Sequence, residues 1–320
     1  MRRVLALLSL ALTTLAAPVL AQTYPTKPVR LIVSFGPGGS ADTTARLVAE
    51  RLTAALGQPV VVENRAGALT VIAADLVAQS APDGYTLFLM PGTHVLSPKL
   101  VKGVTFDPIK DFTAISMIAY APLVFFSDPK RPYSTMKGLI SYAGANPGKV
   151  SIGTTDAYGQ LAIASLRAAM KVDLGQVGYK NANSLSAEVT GGHVDLGALT
   201  PPSVHSLWQA KRVNVLAATG HSRIASMPEV PTVAESLGMP DFDFQTWFAL
   251  SGPAGIPAPI VDRLQAEMKK ILADRETLAK LEMVGLVPAV DVHGERLVGL
   301  LKRDSDRYGK MLDQVGIKPE

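Results

Sequence analysis

The sequence predicts an α/β protein of two lobes, each a mostly parallel sheet flanked by helices. Short β-branched runs and amphipathic helical segments alternate along the whole chain. Several of the runs end in glycine- or hydroxyl-rich turns that lead straight into a helix. At two places strand-like segments follow one another, or a turn-rich stretch intervenes, where a helical crossover is otherwise expected. The 320 residues are ample for two domains, and 48% hydrophobic residues with only 18% charged exclude a disordered chain.

The first 21 residues are set apart from the fold. Met1-Arg2-Arg3 is positive, Val4 to Ala17 is nearly all apolar, and Val19-Leu20-Ala21 puts small residues where cleavage would leave Gln22 first. That is the pattern of a secretory signal peptide. An uncleaved anchor is the alternative, but the run is shorter than the ~20 apolar residues a span needs. The paired arginines resemble twin-arginine export signals only weakly.

From there the elements follow in order. Val29 to Phe35 reads as a buried strand closed by Gly36-Pro37-Gly38-Gly39. Ala45, Val48, Leu52 and Ala55 recur at helical spacing with Arg46, Glu50 and Arg51 opposite, and Gly57 supplies a stop. Val60–Val62 is a strand, roughly 70–79 a helix, and Tyr85–Met90 a third strand. Strands follow near 112–118, 123–127, 150–153, 176–178, 194–199, 213–218 and 244–251. Helices follow near 135–145, 158–170, 184–190, 204–209, 260–273, 276–284 and 295–315. Apolar runs on both sides of Tyr120-Ala121-Pro122, and the turn-rich stretch from Gly220 to Pro231, mark crossings between lobes. We therefore expect residues 22–121 and 222–320 to form one domain and residues 122–221 the other. One continuous doubly wound domain is the competing topology.

The chemistry lies at strand-to-helix turns. Phe35 to Asp42 precedes a helix whose first N–H groups lack intrahelical partners and carry partial positive charge, which favours anions. Gly38 and Gly39 bare those groups, and Ser40 can cap the helix or offer its hydroxyl. A tight turn built only for packing is the plainer reading, and Asp42 can simply complement the helix dipole. The turn is not a P-loop, having no Lys-Ser/Thr pair, nor Gly-x-Gly-x-x-Gly, because residue 41 is Ala. Gly153-Thr154-Thr155-Asp156, Thr200-Pro201-Pro202 and Pro91-Gly92-Thr93-His94 repeat the design, as a cleft in an open α/β sheet requires.

Catalysis has few candidates. No two of the five His stand at metal-ligand spacing on one helix, and no Gly-x-Ser-x-Gly elbow occurs. The absence of cysteine excludes disulfides, thiolate nucleophiles, Cys-ligated metals and a Cys-linked lipid anchor. Neither a metal nor any other cofactor is implied. A net charge of +4 is too small to argue for nucleic acid. His94 is expected to bond backbone in a loop more readily than to act as an active-site pair with Thr93. Asp195 reads as a turn or strand-entry residue; Trp247 and Phe248, beside a crossing, are placed to close over a ligand, with aromatic core packing the plainer reading.

Taken in order, Tyr24-Pro25, Lys27 to Val33 and Phe35 to Asp42 resemble the opening of the Bug family, the extracytoplasmic solute receptors of tripartite tricarboxylate transporters. Val60 to Ala68, Ala81 to Leu87, Phe106 to Phe112, Ala145 to Lys149, Tyr179-Lys180, Pro228 to Glu235, Trp247-Phe248 and Pro253 to Pro257 continue the match. The resemblance implies a type II, Venus-flytrap periplasmic binding protein that captures a small organic acid. It implies a carboxylate held by loop backbone groups and water, with a membrane permease as partner; a monomer is the simplest expectation for the receptor. A sensor kinase is the alternative partner, and an exported enzyme using Asp42, His94 or Asp195 the alternative activity. Carried over by motif, Phe35, Gly38, Gly39, Ser40 and Asp42 line one wall and Thr154 and Thr155 the other, with Thr93, His94, Tyr179, Asn181, Thr200 and Pro201 as further contacts. The family usually has glycines where this chain has Leu69, Thr70 and Asn181. On that ground Leu69 is expected to narrow the site, and the ligand to offer apolar or aromatic surface beside its carboxylate.

Overall fold

The computed structural model describes residues 24–315, so the expected signal peptide lies outside the described residues. The first lobe begins with β1 (Val29–Val33), α1 (Ser40–Leu56), β2 (Val60–Asn64), α2 (Val71–Ala78), β3 (Thr86–Pro91), α3 (Ser97–Leu100) and β4 (Phe112–Pro122). The second lobe follows with β5 (Val124–Ser127), α4 (Met136–Ala145), β6 (Val150–Thr154), α5 (Ala157–Met170), β7 (Leu174–Gly178), α6 (Ala182–Thr190), β8 (Leu196–Leu199), α7 (His205–Gln209), β9 (Asn214–Ala218) and α8 (Val233–Leu237). The chain then returns with β10 (Gln245–Pro253), α9 (Ala258–Ile271), α10 (Arg275–Met283), β11 (Val287–Pro288) and α11 (Gly294–Val315).

The apolar spacing explains the layers. Val29, Leu31, Ile32 and Val33 of β1 are all fully buried because helices cover both faces of the strand. On α1, Ala45, Val48, Leu52 and Leu56 form the buried stripe, each Val or Leu stabilising the lobe by roughly 1.5–3 kcal/mol. Gly57 ends that helix in the left-handed region at φ 71°, its N–H bonded to the Thr53 carbonyl.

The two sheets have the orders β11-β4-β10-β3-β1-β2 and β7-β6-β8-β5-β9. Both are mixed. β10 runs antiparallel between β3 and β4, and β5 runs antiparallel between β8 and β9. Each of these strands enters its sheet directly from the other lobe, without the helical crossover that makes neighbours parallel. The expectation of mostly parallel strands is thus refined, not overturned: β1–β4 share one direction, as do β6–β9.

Thr219 knits the passages between the lobes together. Its N–H donates to the Leu123 carbonyl at 2.9 Å, its Oγ1 accepts the Leu123 N–H at 2.9 Å, and the same hydroxyl donates to the Phe244 carbonyl. The segment after β9 stays with the second sheet: Ile224, Met227 and Val230 share a core with Val124 and Phe126, and Thr232 bridges Ala218. We propose that the second division of the chain falls near Phe244 and not at residue 222.

Gly197 shows how tightly the second lobe is filled. It stands opposite Phe126 in the β5–β8 pair, and a Cβ there would overlap the fully buried ring. Gly197→Ala is expected to lower stability by about 2 kcal/mol through overpacking, read as a lower urea midpoint with an unchanged slope. A stability equal to that of the parent would show that the Phe126 ring has room to move.

Candidate functional site

A cleft opens between the lobes at the ends of the strands. Its first-lobe wall is Phe35 to Pro37, Gly39 to Ala41, Pro91, Thr246 and Phe248. Its second-lobe wall is Thr155, Asp156, Lys180 to Ala182, Leu199, Thr200 and Ser203. The first wall is built around the start of α1. Gly39 is the N-cap, with φ −86° and ψ 178°, and no side chain caps this end. The unpaired N–H groups of the first turn and the positive pole of a 17-residue helix therefore meet the cleft.

The turn is held from behind. Gly38 has φ 88°, a left-handed conformation that glycine adopts freely, and its N–H donates to Asp42 Oδ2 at 3.1 Å. Arg46 Nε donates to the same oxygen at 2.9 Å, and Asn64 Nδ2 to Asp42 Oδ1 at 3.0 Å. Asn64 Nδ2 also reaches the Phe35 carbonyl at 2.9 Å. Burial opposes ionisation of Asp42, but the bonds from Arg46, Asn64 and Gly38 outweigh it and lower the pKa.

The walls touch. Thr200 donates its hydroxyl to Ser40 Oγ across the cleft at 2.9 Å, and both side chains are buried. Pro201 abuts Gly285, and Tyr158 lies fully buried under Gly92 with its ring 4.6 Å from that of Tyr308 on α11. This is the closed arrangement of two lobes. Thr200→Val keeps the shape and removes the latch, so ligand affinity is expected to fall about three- to tenfold. Calorimetry checks this; an unchanged affinity would mean that the latch contributes nothing to closure.

The family model for the tripartite tricarboxylate transporter family receptor matches residues 44–317. The chain belongs to this receptor family. It is 32% identical to Protein BugT of Bordetella pertussis over 99% of each chain. Among solved structures, the periplasmic binding protein BugD superposes with a TM-score of 0.86 at 28% identity, covering 93% of this chain and all of that one. Rpa4515 of R. palustris, solved with adipate, superposes with a TM-score of 0.88 at 29% identity and the same coverage. The two-lobed binding-protein architecture expected from sequence is therefore the fold of this receptor.

The receptor's cleft brings together Phe35, Gly39, Ser40, Thr155, Asn181 and Thr200 of the residues expected in the site. Asp42 stands behind the wall, as described, while Gly38 is exposed and faces Asn183 of the other lobe. Thr154 is buried against Gly159, Tyr179 packs over Gly153, and Pro201 contacts the other lobe. Thr93 is buried and off the cleft, and so is His94. His94 bonds the Pro108 carbonyl through Nε2 at 2.9 Å and stacks on Phe106 with Phe112 edge-on. Burial pushes its pKa down to about 4, so it is a neutral core residue at pH 7. An apolar pocket closed by Phe88, Phe106 and Phe112 overrides the loop position that made it a candidate.

Asn181 carries a role the glycine comparison did not reveal: its Oδ1 caps α6, accepting the Ser184 N–H at 2.8 Å. Leu69 and Thr70 lie off the cleft, so Leu69 does not narrow it. They occupy left-handed backbone at φ 45° and 83°, where glycine is ordinarily preferred. The apolar lining comes instead from Phe35, Pro37, Pro91, Leu199 and Phe248. Asp156, Lys180 and Thr246 were not expected there, whereas Phe248 takes the ligand-facing alternative to core packing. Lys180 had a signal, since it follows Tyr179 in a matched motif, and Asp156 immediately follows the predicted Thr154-Thr155 turn. Phe248 sits inside a strand, where nothing in one sequence separates a cleft face from a core face.

Proposed function

We propose that this receptor captures a small organic carboxylate between its lobes and delivers it to a tripartite tricarboxylate permease. The observation that carries the reading is the uncapped start of α1 facing a cleft lined by the hydroxyls of Ser40, Thr155, Thr200 and Ser203. Backbone N–H groups can each give an anionic oxygen about 1.5–3 kcal/mol, and water can bridge the remaining contacts at similar strength. The adipate bound by Rpa4515 supports a carboxylate as guest. Phe35, Pro37 and Phe248 give its hydrocarbon part an apolar bed, in keeping with a ligand that carries apolar surface beside its acid group.

Closure follows from the contact between the walls, where Thr200 meets Ser40 across the cleft. A guest with several carbons enters when the lobes part about the Leu123 and Thr219–Phe244 passages, and shifts the population to the closed form by touching both walls there. No covalent chemistry is asked of the protein, so the guest leaves unchanged. Residues 1–21 would direct the chain to the periplasm, where the mature protein would start at Gln22. Among the described residues no helix is long and apolar enough to cross a membrane.

The test is mass spectrometry of small molecules released from the native protein, followed by calorimetry against a panel of mono-, di- and tricarboxylic acids. An intact acid that rebinds is the expected result, with uptake of that acid lost when the permease is deleted. Failure of every acid in the panel to bind would overturn the reading.

A further inference from the structure

The lobes also press on each other where a glycine of one receives an aromatic ring of the other. Gly92 follows β3 in the first lobe, directly after the cleft-lining Pro91. Tyr158 stands at the start of α5 in the second lobe, two residues after the cleft-lining Asp156. A Cβ on Gly92 would lie 2.7 Å from the Tyr158 hydroxyl and 2.9 Å from Cζ of its ring, closer than a side-chain carbon comes to a neighbour. The ring has little freedom to yield. It is fully buried, and the Tyr308 ring of α11 packs against it at 4.6 Å.

Among the described residues, Gly285 is the other glycine pressed this closely by the opposite lobe, through Pro201. Its φ of 82° calls for glycine whatever stands opposite. Gly92 has no left-handed backbone to account for it. Within its own lobe a Cβ would be crowded by Thr246 Oγ1 at 3.0 Å, a hydroxyl that a small side-chain rotation moves away. What keeps residue 92 bare is therefore the phenol of the other lobe.

We infer that Gly92 and Tyr158 set how far the lobes close: the phenol seats in the notch the glycine leaves, and a side chain at residue 92 props the walls apart. Neither residue lines the cleft, so both are positioning residues that act through the spacing of the walls. Pro91 and Asp156, on opposite walls, are only one and two residues from the pair, so a change in the seat passes directly to surfaces that a guest must touch together. The inference rests on the closure reading above.

The chain has no cysteine, so Ala54→Cys on α1 and Lys137→Cys on α4, both exposed, take one spin label on each lobe. Pulsed dipolar spectroscopy then reads the interlobe distance in the full mature receptor, without a guest and with adipate as probe. Gly92→Ala is expected to lower the ratio of closed to open receptor about tenfold, and to weaken adipate binding by up to the same factor. Tyr158→Leu removes the hydroxyl and Cζ, so adding Gly92→Ala in that background should change the ratio by less than about twofold. Tyr158→Trp, which enlarges the ring and leaves Gly92 in place, should open the lobes by a second route, and thermal melts establish that the variants fold. A Gly92→Ala receptor with the parent's distances under both conditions, or a shift that persists undiminished in Tyr158→Leu, overturns the inference. Failure of the parent to bind any acid bears on carboxylate capture alone, because the distances without a guest still decide the seat.

Discussion

Gly39→Val is expected to abolish ligand capture while the receptor stays folded. Gly39 lines the cleft, and a Cβ built there meets nothing within 4 Å. Its φ of −86° suits any residue, so the backbone does not object to a side chain. Valine therefore fits the protein but fills the space over the first-turn N–H groups. Losing two charge-assisted bonds costs about 3–6 kcal/mol, which weakens binding by roughly 100-fold or more. Stability should fall by no more than about 1 kcal/mol, because valine is a poorer N-cap than glycine. Calorimetry reads the first effect and chemical unfolding the second. Undiminished affinity in a folded Gly39→Val receptor would place the acid elsewhere and remove the basis of the proposed function.

Asp42→Ala should damage both stability and binding, although Asp42 does not line the cleft. Asp42 is 4% exposed, and its carboxylate holds the Gly38 N–H, Asn64 Nδ2 and Arg46 Nε together. Removing it leaves the exposed Gly38 N–H to water and Asn64 Nδ2 with the Phe35 carbonyl as its remaining partner, a loss of about 1–2 kcal/mol. Most of that comes from those two bonds, since Arg46 is largely exposed and its ion pair is screened. The Phe35–Gly39 turn then loses its brace, and affinity falls with it. Asp42→Asn is expected to retain part of both properties, because an amide oxygen can still accept from Gly38. The pH dependence has a definite sign. The folded pKa is lowered, so the stabilisation is present above the unfolded carboxylate range and is lost as pH falls through the folded value. In Asp42→Ala that part of the acid sensitivity disappears. A variant as stable as the parent at neutral pH, with the same acid limb, would show that Asp42 braces nothing.

Much of this receptor was legible because local rules and global packing agree. The β1 run, the Ala45–Leu56 stripe and the Gly57 stop each specify their element without help from distant residues. The same holds for the cleft turns. A strand that stops at glycine and reopens as a helix exposes N–H groups wherever it is placed, so Gly39, Ser40, Thr155 and Thr200 could be named from order alone. Short elements escaped, among them α8, which starts at its Thr232 and Glu235 capping box directly after the turn-rich stretch.

What the sequence determined by itself is therefore local: the alternation of elements, the anion-attracting turn at the head of α1, and, through the ordered motifs, the receptor family. The tertiary structure alone decided which polar groups face the cleft and which face the core. His94 was drawn into an aromatic pocket, Asp42 was turned behind its own turn, and Asp156 and Lys180 were swung into the opposite wall. The physical reason is distance along the chain. Thr200 meets Ser40 across 160 residues, and such a contact depends on how two sheets settle against each other about Leu123 and Thr219, which neither segment encodes on its own.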